Sequence, residues 1–337
     1  MNQSSFITRD QLAGWLDALM GEARLIGPRW EQGVLLYRPL TNNLELAWEF
    51  TRPTLSAKEF FFPPTERLLT IEKTSQHIKL AETLPEGRQV IFGVRPCEAR
   101  GLRHLDALFL EEEPHDPYYS RRRENTALIG LACKEMGATC FCTSVGGAPD
   151  DPSDVDVMLT EVDHGYAVQV VSEKGRTLIT SCDLQIANFE PASNSPSATR
   201  DWPPPIPLPS KDTWPAHFND EYWERMSERC LSCRLCAYIC PTCRCFDVRD
   251  EALGDGQFER IRCWDSCAGV AYRRIAGGHN PRAAKGDRLR NRFFCKFYYY
   301  PHQYGLDSPA CTGCGRCIDL CPVNIDIMEV ISHVGAE

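Results

Sequence analysis

Two copies of one cysteine pattern set the terms for this chain. Cys230, Cys233, Cys236 and Cys240, followed by Pro241, read C-x2-C-x2-C-x3-C-P in "CLSCRLCAYICPTCRCFDV" (230–248). Cys311, Cys314, Cys317 and Cys321, followed by Pro322, repeat the pattern in "CTGCGRCIDLCPVNIDI" (311–327). Three cysteines at two-residue gaps wrap a loop around one corner of a [4Fe–4S] cubane, and the fourth points away toward a second one. The expected ligand sets are Cys230, Cys233, Cys236 with Cys321, and Cys311, Cys314, Cys317 with Cys240. Each proline fixes φ and removes an N–H just past the fourth cysteine. Zinc knuckles would show paired C-x2-C units without that Cys-Pro. Seventy residues lie between Cys240 and Cys311, far more than a compact ferredoxin uses. The chain must loop out and return, so the swapped ligation follows from the motifs and not from local spacing. Cys236, Cys240 and Cys243 also spell C-x3-C-x2-C, the radical S-adenosylmethionine pattern. Fewer than 100 residues follow it, too few for the barrel that chemistry needs, so the overlap is read as accidental.

Eighteen cysteines behind an N-terminus without a basic start or apolar h-region, "MNQSSFITRD", point to a reducing, cytoplasmic setting and to metal ligation in place of disulfides. A net charge of −9 argues against nucleic acid or an anionic membrane as the main partner. No apolar run is long enough to span a bilayer.

Residues 191–217, "PASNSPSATRDWPPPIPLPSKDTWPAH", hold eight prolines and read as a linker of polyproline character. It separates an α/β region, 1–190, from a dicluster region, 218–337, expected to be an alpha-helical ferredoxin-like domain with a long insertion at 246–310. The fold class expected is therefore α+β multidomain. In the first part, "QLAGWLDALM" places Leu12, Trp15, Leu16 and Leu19 on one helical face. "QVIFGV" (89–94), "EARGLRHLDALFL" (98–110) and "ALIGLA" (127–132) read as strand, helix, strand, a βαβ unit with parallel strands. "DVMLTEVDHGYAVQVV" reads as a hairpin turning near His164–Gly165. Neither G-x-G-x-x-G nor G-x-x-x-x-G-K-[ST] occurs, so the common dinucleotide and triphosphate fingerprints are missing.

A third cysteine set follows from the βαβ unit. Cys97 sits three residues past the first strand and Cys133 one residue past the second, on the carboxyl edge where open α/β sheets bind ligands. Cys140 and Cys142 lie in the loop leaving the second strand. Four thiolates at one edge suit a third [4Fe–4S] cluster; buried incidental thiols are the plainer alternative. Cys182, Cys243, Cys245, Cys263, Cys267 and Cys295 remain without a role. Arg282, Lys285, Arg288, Arg290, Arg292 and Lys296, near Tyr298–Tyr300, read either as a solvated face or as charge that docks an acidic partner or offsets anionic clusters. Gly313 and Gly315, against Ser232, Arg234 and Leu235 in the first motif, leave backbone N–H groups free to approach sulfur, and on that ground the two clusters are expected to differ in potential.

"GVRPCEARGL", "DPYYSRRRENTALIGLACKEMGATCFCTS", "CPTCRCFDV", "WDSC", "AGGHNPR" and "CTGCGRCIDLCPVNIDI" together resemble the iron–sulfur β subunit of cytosolic nickel–iron hydrogenases, the sulfhydrogenases. The A subunit of anaerobic sulfite reductase is similar. The resemblance runs from about residue 50 to the end. It implies an electron-transfer subunit without catalytic residues of its own. A partner subunit would bind FAD and exchange electrons with NAD(P). Another would hold the catalytic site, a nickel–iron hydrogenase or, alternatively, a sulfite reductase. The resemblance also supports the Cys97, Cys133, Cys140, Cys142 set. A colourless zinc-binding interaction module and a self-sufficient flavin reductase are the competing classes.

Overall fold

The computed structural model describes residues 5–181, 187–188, 202–272 and 274–336 of the chain. Cys182 and the linker's first half, 191–201, lie outside them. The first part is built on an eight-stranded mixed sheet. Its strands are β1 (Ser5–Thr8), β2 (Arg24–Glu31), β3 (Val34–Pro39), β6 (Gln89–Val94), β7 (Thr126–Leu131), β8 (Val157–Val162), β9 (Gly165–Val170) and β10 (Ala187–Asn188), in the order β10-β1-β9-β8-β7-β6-β2-β3. Only the centre is parallel: β2 with β6, β6 with β7, and β7 with β8. The βαβ unit stands there, with α2 (Pro96–Phe109) between β6 and β7. The β8–β9 hairpin turns through His164 at φ 65°.

Central strands buried on both sides read as continuous apolar runs. Val90, Phe92, Ile129, Val157 and Leu159 face one layer, made by α1 (Arg9–Glu22) and by Leu178 and Ile179 of α4 (Glu173–Ser181). Ile91, Val94, Leu128 and Met158 face the other, made by α2 and by Tyr119 of α3 (Pro117–Asn125). Helix α1 begins in a capping box: Gln11 N–H donates to Thr8 Oγ1 at 3.2 Å, and Thr8 N–H donates to Gln11 Oε1 at 2.8 Å. Its buried face is Leu12, Trp15, Leu16 and Leu19.

The second part departs from the helical expectation. The insertion carries a hairpin, β11 (Phe246–Gly254) and β12 (Gln257–Trp264), turned by Gly254, Asp255 and Gly256, all at positive φ. Strand β12 pairs antiparallel with β4 (Thr65–Lys73), and β4 with β5 (Ile78–Glu82), giving a second, four-stranded sheet. Strands from both sides of the linker thus share one ladder, and a boundary at 218 cuts through it. Charge fastens the joint: Arg262 donates to Glu66 and to Asp116, and Arg122 also donates to Glu66. Phe62, Phe109, Phe246 and Trp264 pack beside it.

The rest of this part is helical. Helices Tyr222–Arg229, Lys285–Phe294 and Ile327–Gly335 enclose Trp223, Phe293, Phe294 and Ile331. Trp214, at the end of the linker, is buried among them and stacks on Phe297 at 4.8 Å. No helix among the described residues is long and apolar enough to cross a membrane.

Helix α2 lies against the first cysteine motif. Gly101 has no side chain where a Cβ would sit 2.5 Å from Pro241 Cβ. Lys58, 2% exposed, donates to the carbonyl oxygens of Ala237, Cys240 and Cys243 at 3.3, 2.8 and 3.0 Å. Gly101→Ala therefore overpacks the contact and costs about 1–3 kcal/mol, as close-packed sites do when a methyl is added. The check is anaerobic chemical denaturation; an unchanged midpoint means that Pro241 yields freely.

Candidate metal centre

The two motifs fold alike by different means. Each threads positive-φ positions between its cysteines before a one-turn helix: Ser232 and Arg234 at φ 54° and 67° before Leu235–Tyr238, Gly313 and Gly315 at φ 62° and 75° before Arg316–Asp319. Positive φ strains an L-residue, yet the first motif accepts it because its side chains have room. The second motif has none. A Cβ on Gly313 would lie 2.5 Å from Cys142 N, and one on Gly315 2.5 Å from the Thr139 carbonyl. Phe141 N–H donates to Gly313 O at 2.8 Å. The glycines therefore admit the 139–142 loop, and the Gly313 N–H also donates to the Cys311 sulfur, as Ser232 N–H does to Cys230 Sγ at 3.3 Å in the first motif.

Three cysteine-lined cavities result. Cys230, Cys233, Cys236 and Cys321 line the first, with Cys317 at its wall. Cys240, Cys311, Cys314 and Cys317 line the second, with Cys236 at its wall. Cys97, Cys133, Cys140 and Cys142 line the third, with Cys314 at its wall. Each expected set is brought to one cavity. Neighbouring cavities share cysteines, so the three stand in series, with the second motif's cavity in the middle. Cys97 opens helix α2 just past β6, and Cys133 sits two residues past β7. The carboxyl edge of the parallel strands thus supplies both.

Burial favours the protonated form of several of these sulfurs, while at Cys240 the Cys243 thiol and the Lys296 ammonium hold the sulfur well below the ordinary thiol range. Burial pushes Cys142 up to about 12, helped by Cys133 and Cys140. It pushes Cys311 up to about 11 against the pull of Lys296. Cys97 is raised well above the ordinary thiol range by burial, and then by Cys314 and Glu98.

Buried cations surround the same sulfurs. Lys296, 5% exposed, donates from Nζ to Cys240 Sγ at 3.1 Å and to Thr242 Oγ1 at 2.8 Å. Arg52 Nη1 donates to Cys140 Sγ at 3.2 Å, and Arg52 pairs with Asp319. Arg292, 4% exposed, lines the first cavity, and its Nε and Nη2 have no partner. Arg288 Nε and Arg316 Nη2 are likewise unpartnered. Cations and donors left uncompensated inside a protein are costly. Four thiolates around an iron–sulfur core are anionic, so the donor set and its charge fit that group. One carboxylate is fully used: Glu98, 1% exposed, accepts from Ser56 Oγ and Ala57 N, each at 2.7 Å, and from Arg316. Arg316 in turn donates to Pro53 O at 2.9 Å. The pair fastens α2 and the 53–57 loop to the second motif.

The basic run divides. Arg288, Arg292 and Lys296 are buried beside cysteines, whereas Arg290 pairs with Asp287 and donates to Phe218 O. The three buried cations stand at i, i+4 and i+8, on one face of the helix that runs from Lys285–Phe294 into Cys295–Tyr299. Sequence reasoning missed Lys58, Arg52 and Arg95, which stand far from either motif. Arg95 is wrapped by the carbonyls of Phe50, Thr51, Leu131 and Ala132.

Of the unassigned cysteines, the Cys243 thiol donates a hydrogen bond to the Cys240 sulfur. Cys267 is buried facing Cys245 and Cys295. Cys263 lies on β12 with its sulfur 3.8 Å from Thr65 Oγ1. A single zinc holding four thiolates at about 2.3 Å would draw the sulfurs to roughly 3.8 Å of one another. Among the described residues, His217, Asp220 and His333 are the one set of three ligand groups within 4.8 Å of each other. The cysteine sets are wider than one zinc ion requires.

Comparison with known proteins agrees with this geometry. A family model described as a 4Fe-4S dicluster domain matches residues 229–325, which implies two [4Fe–4S] clusters. Sulfhydrogenase 2 subunit beta of Pyrococcus furiosus is 32% identical, with 92% of this chain and 92% of that protein covered. No solved structure matches the chain.

Glu98→Ala leaves Arg316 buried without a counter-charge, a change that costs about 3–5 kcal/mol. The expected outcome is a lower denaturation midpoint and a loosened contact between α2 and the second motif. A midpoint within error of the parent would mean that Arg316 finds another anion.

Proposed function

This chain belongs to the family of sulfhydrogenase beta subunits, and from that premise we propose that it is the electron-transfer subunit of a cytoplasmic oxidoreductase complex. It carries electrons between a partner that binds FAD and NAD(P) and a partner that holds a nickel–iron site. The name of the relative favours the hydrogenase over a sulfite reductase as the catalytic partner. The single observation that carries the reading is the series of cysteine-lined cavities with shared walls.

Cys230, Cys233, Cys236 and Cys321 would hold one [4Fe–4S] cluster, Cys240, Cys311, Cys314 and Cys317 a second, and Cys97, Cys133, Cys140 and Cys142 a third. When bound, each cubane supplies a one-electron couple. The chain's contribution is to space, enclose and charge the sites. Cys236 and Cys317 stand at the wall between the first two cavities, and Cys314 at the wall between the second and third, so adjacent sites are neighbours with no gap to bridge. Water is kept from the middle one, where Cys240, Cys311 and Cys314 are buried. The first cavity reaches the surface at Cys233 and at Leu231, which is 65% exposed. The third reaches it near the exposed Glu135. Both outer sites are therefore within reach of a docked partner.

Anaerobically purified chain should be brown, with about twelve irons if all three sites fill, and without flavin. Cys97→Ser with Cys133→Ser should remove about four irons and spare about eight. An iron count that this double variant leaves unchanged would sink the third cluster. Anaerobic co-purification with mass identification of partners tests the complex; a siroheme subunit in place of a nickel–iron one would reverse the choice of catalytic partner.

A further inference from the structure

The cations around the three sites are unequal, and the inequality has a direction. In the middle site, Lys296 touches a ligand sulfur, Cys240 Sγ, at 3.1 Å. No carboxylate pairs with it among the described residues; its other contact is neutral Thr242. Lys58, also enclosed, donates to carbonyl oxygens, sits over the Trp264 ring at 4.2 Å and faces Cys240 and Cys243. Arg292 lines the first cavity and lies close to Cys236 and Cys317, which both cavities share, and to Cys240 of the middle one. Its unpartnered Nε and Nη2 are buried there.

The outer sites are served differently. At the third, Arg52 touches Cys140 but is neutralised by Asp319, Arg95 is wrapped by carbonyls, and Glu98 stands beside Cys97. At the first, Arg234, Lys285, Arg288 and the shared Arg292 line the cavity, but Arg234 pairs with Asp265, Lys285 donates to Glu228 O, and Arg288 is tied to the carbonyls of Arg282 and Ala283. That site also opens to water at Cys233. Reduction adds negative charge to a centre, and a fixed positive charge favours it most where water cannot screen it. The interior ammonium in sulfur contact therefore outweighs the partial hydration at the first site.

We propose that the middle centre is the highest-potential stop of the three, set by Lys296 and, jointly with the first centre, by Arg292. The proposal rests on the ligand assignment above. With clusters bound, these residues would favour an electron on the middle site over either outer one. Lys296 and Arg292 act through the cluster's charge balance and transfer no proton.

The test is a redox titration followed by electron paramagnetic resonance on the anaerobic full-length chain, with iron counted in every sample. Wild type should show one midpoint above the others. Lys296→Met should lower that midpoint alone, changing the reduced-to-oxidised ratio at fixed potential at least tenfold, about 59 mV for a one-electron centre. Arg292→Met should lower two midpoints, and Lys296→Arg should restore the upper one. Lys296→Gln, which stays neutral but keeps a donor, replaces Lys296→Met if that variant loses iron. A single shared midpoint in wild type overturns the proposal without any variant. So does a neutral substitution that keeps its iron and leaves the upper midpoint in place. Failure of the ligand assignment reads out separately, as an iron count below about eight in wild type.

Discussion

A positive charge inside a protein must find a negative one, and this interior is short of carboxylates where its cations gather. Glu98 answers Arg316, and Glu66 answers Arg262 and Arg122. Lys296, Lys58, Arg292 and Arg288 have no such partner among the described residues and turn instead toward cysteine sulfur, carbonyl oxygen or nothing. Isolated buried cations of this kind would ordinarily shed their charge or destabilise the fold. Their presence makes sense when the thiols are taken as thiolates around an anionic core. Metal loading and folding are then two descriptions of one balance. The raised thiols of Cys142 and Cys311 must release protons as that balance is struck.

The cysteine sets were legible because their spacing repeats twice in full. The third set was legible for a different reason: a strand, helix, strand pattern brings Cys97 and Cys133 to one edge even though their spacing is not diagnostic. The central strands could also be read, since Val90 through Val94 and Ala127 through Leu131 are apolar on both faces.

Other features were hidden by sequence separation. The β11–β12 hairpin carries a turn signal at Gly254, Asp255 and Gly256, but nothing local says that β12 pairs with β4. The partner ladder is set by burial of Arg262 against Glu66, 196 residues away. Lys296 shares a helical face with Arg288 and Arg292, but their spacing does not say which face of the helix is buried. The glycines of the second motif were read for one neighbour, sulfur, and have a second. Their space is taken by Thr139 and Cys142, which meet them only once the two parts of the chain have come together.

The shared ladder also bears on how the molecule is made. Thr65 pairs with Cys263 and Arg67 with Ile261, so β4 leaves the ribosome long before its partner exists. At about 5–20 residues per second, the interval is roughly 10 to 40 seconds. For that time β4 has β5 on one side and an open edge on the other, the kind of edge that invites pairing with a foreign strand. The same interval separates the birth of Cys97 from that of Cys314, which wall one cavity. Biogenesis of this chain is therefore a matter of custody. The nascent first half must be shielded, and its sulfurs left unmetallated or unoxidised, until the last eighty or so residues arrive to close both the sheet and the sites.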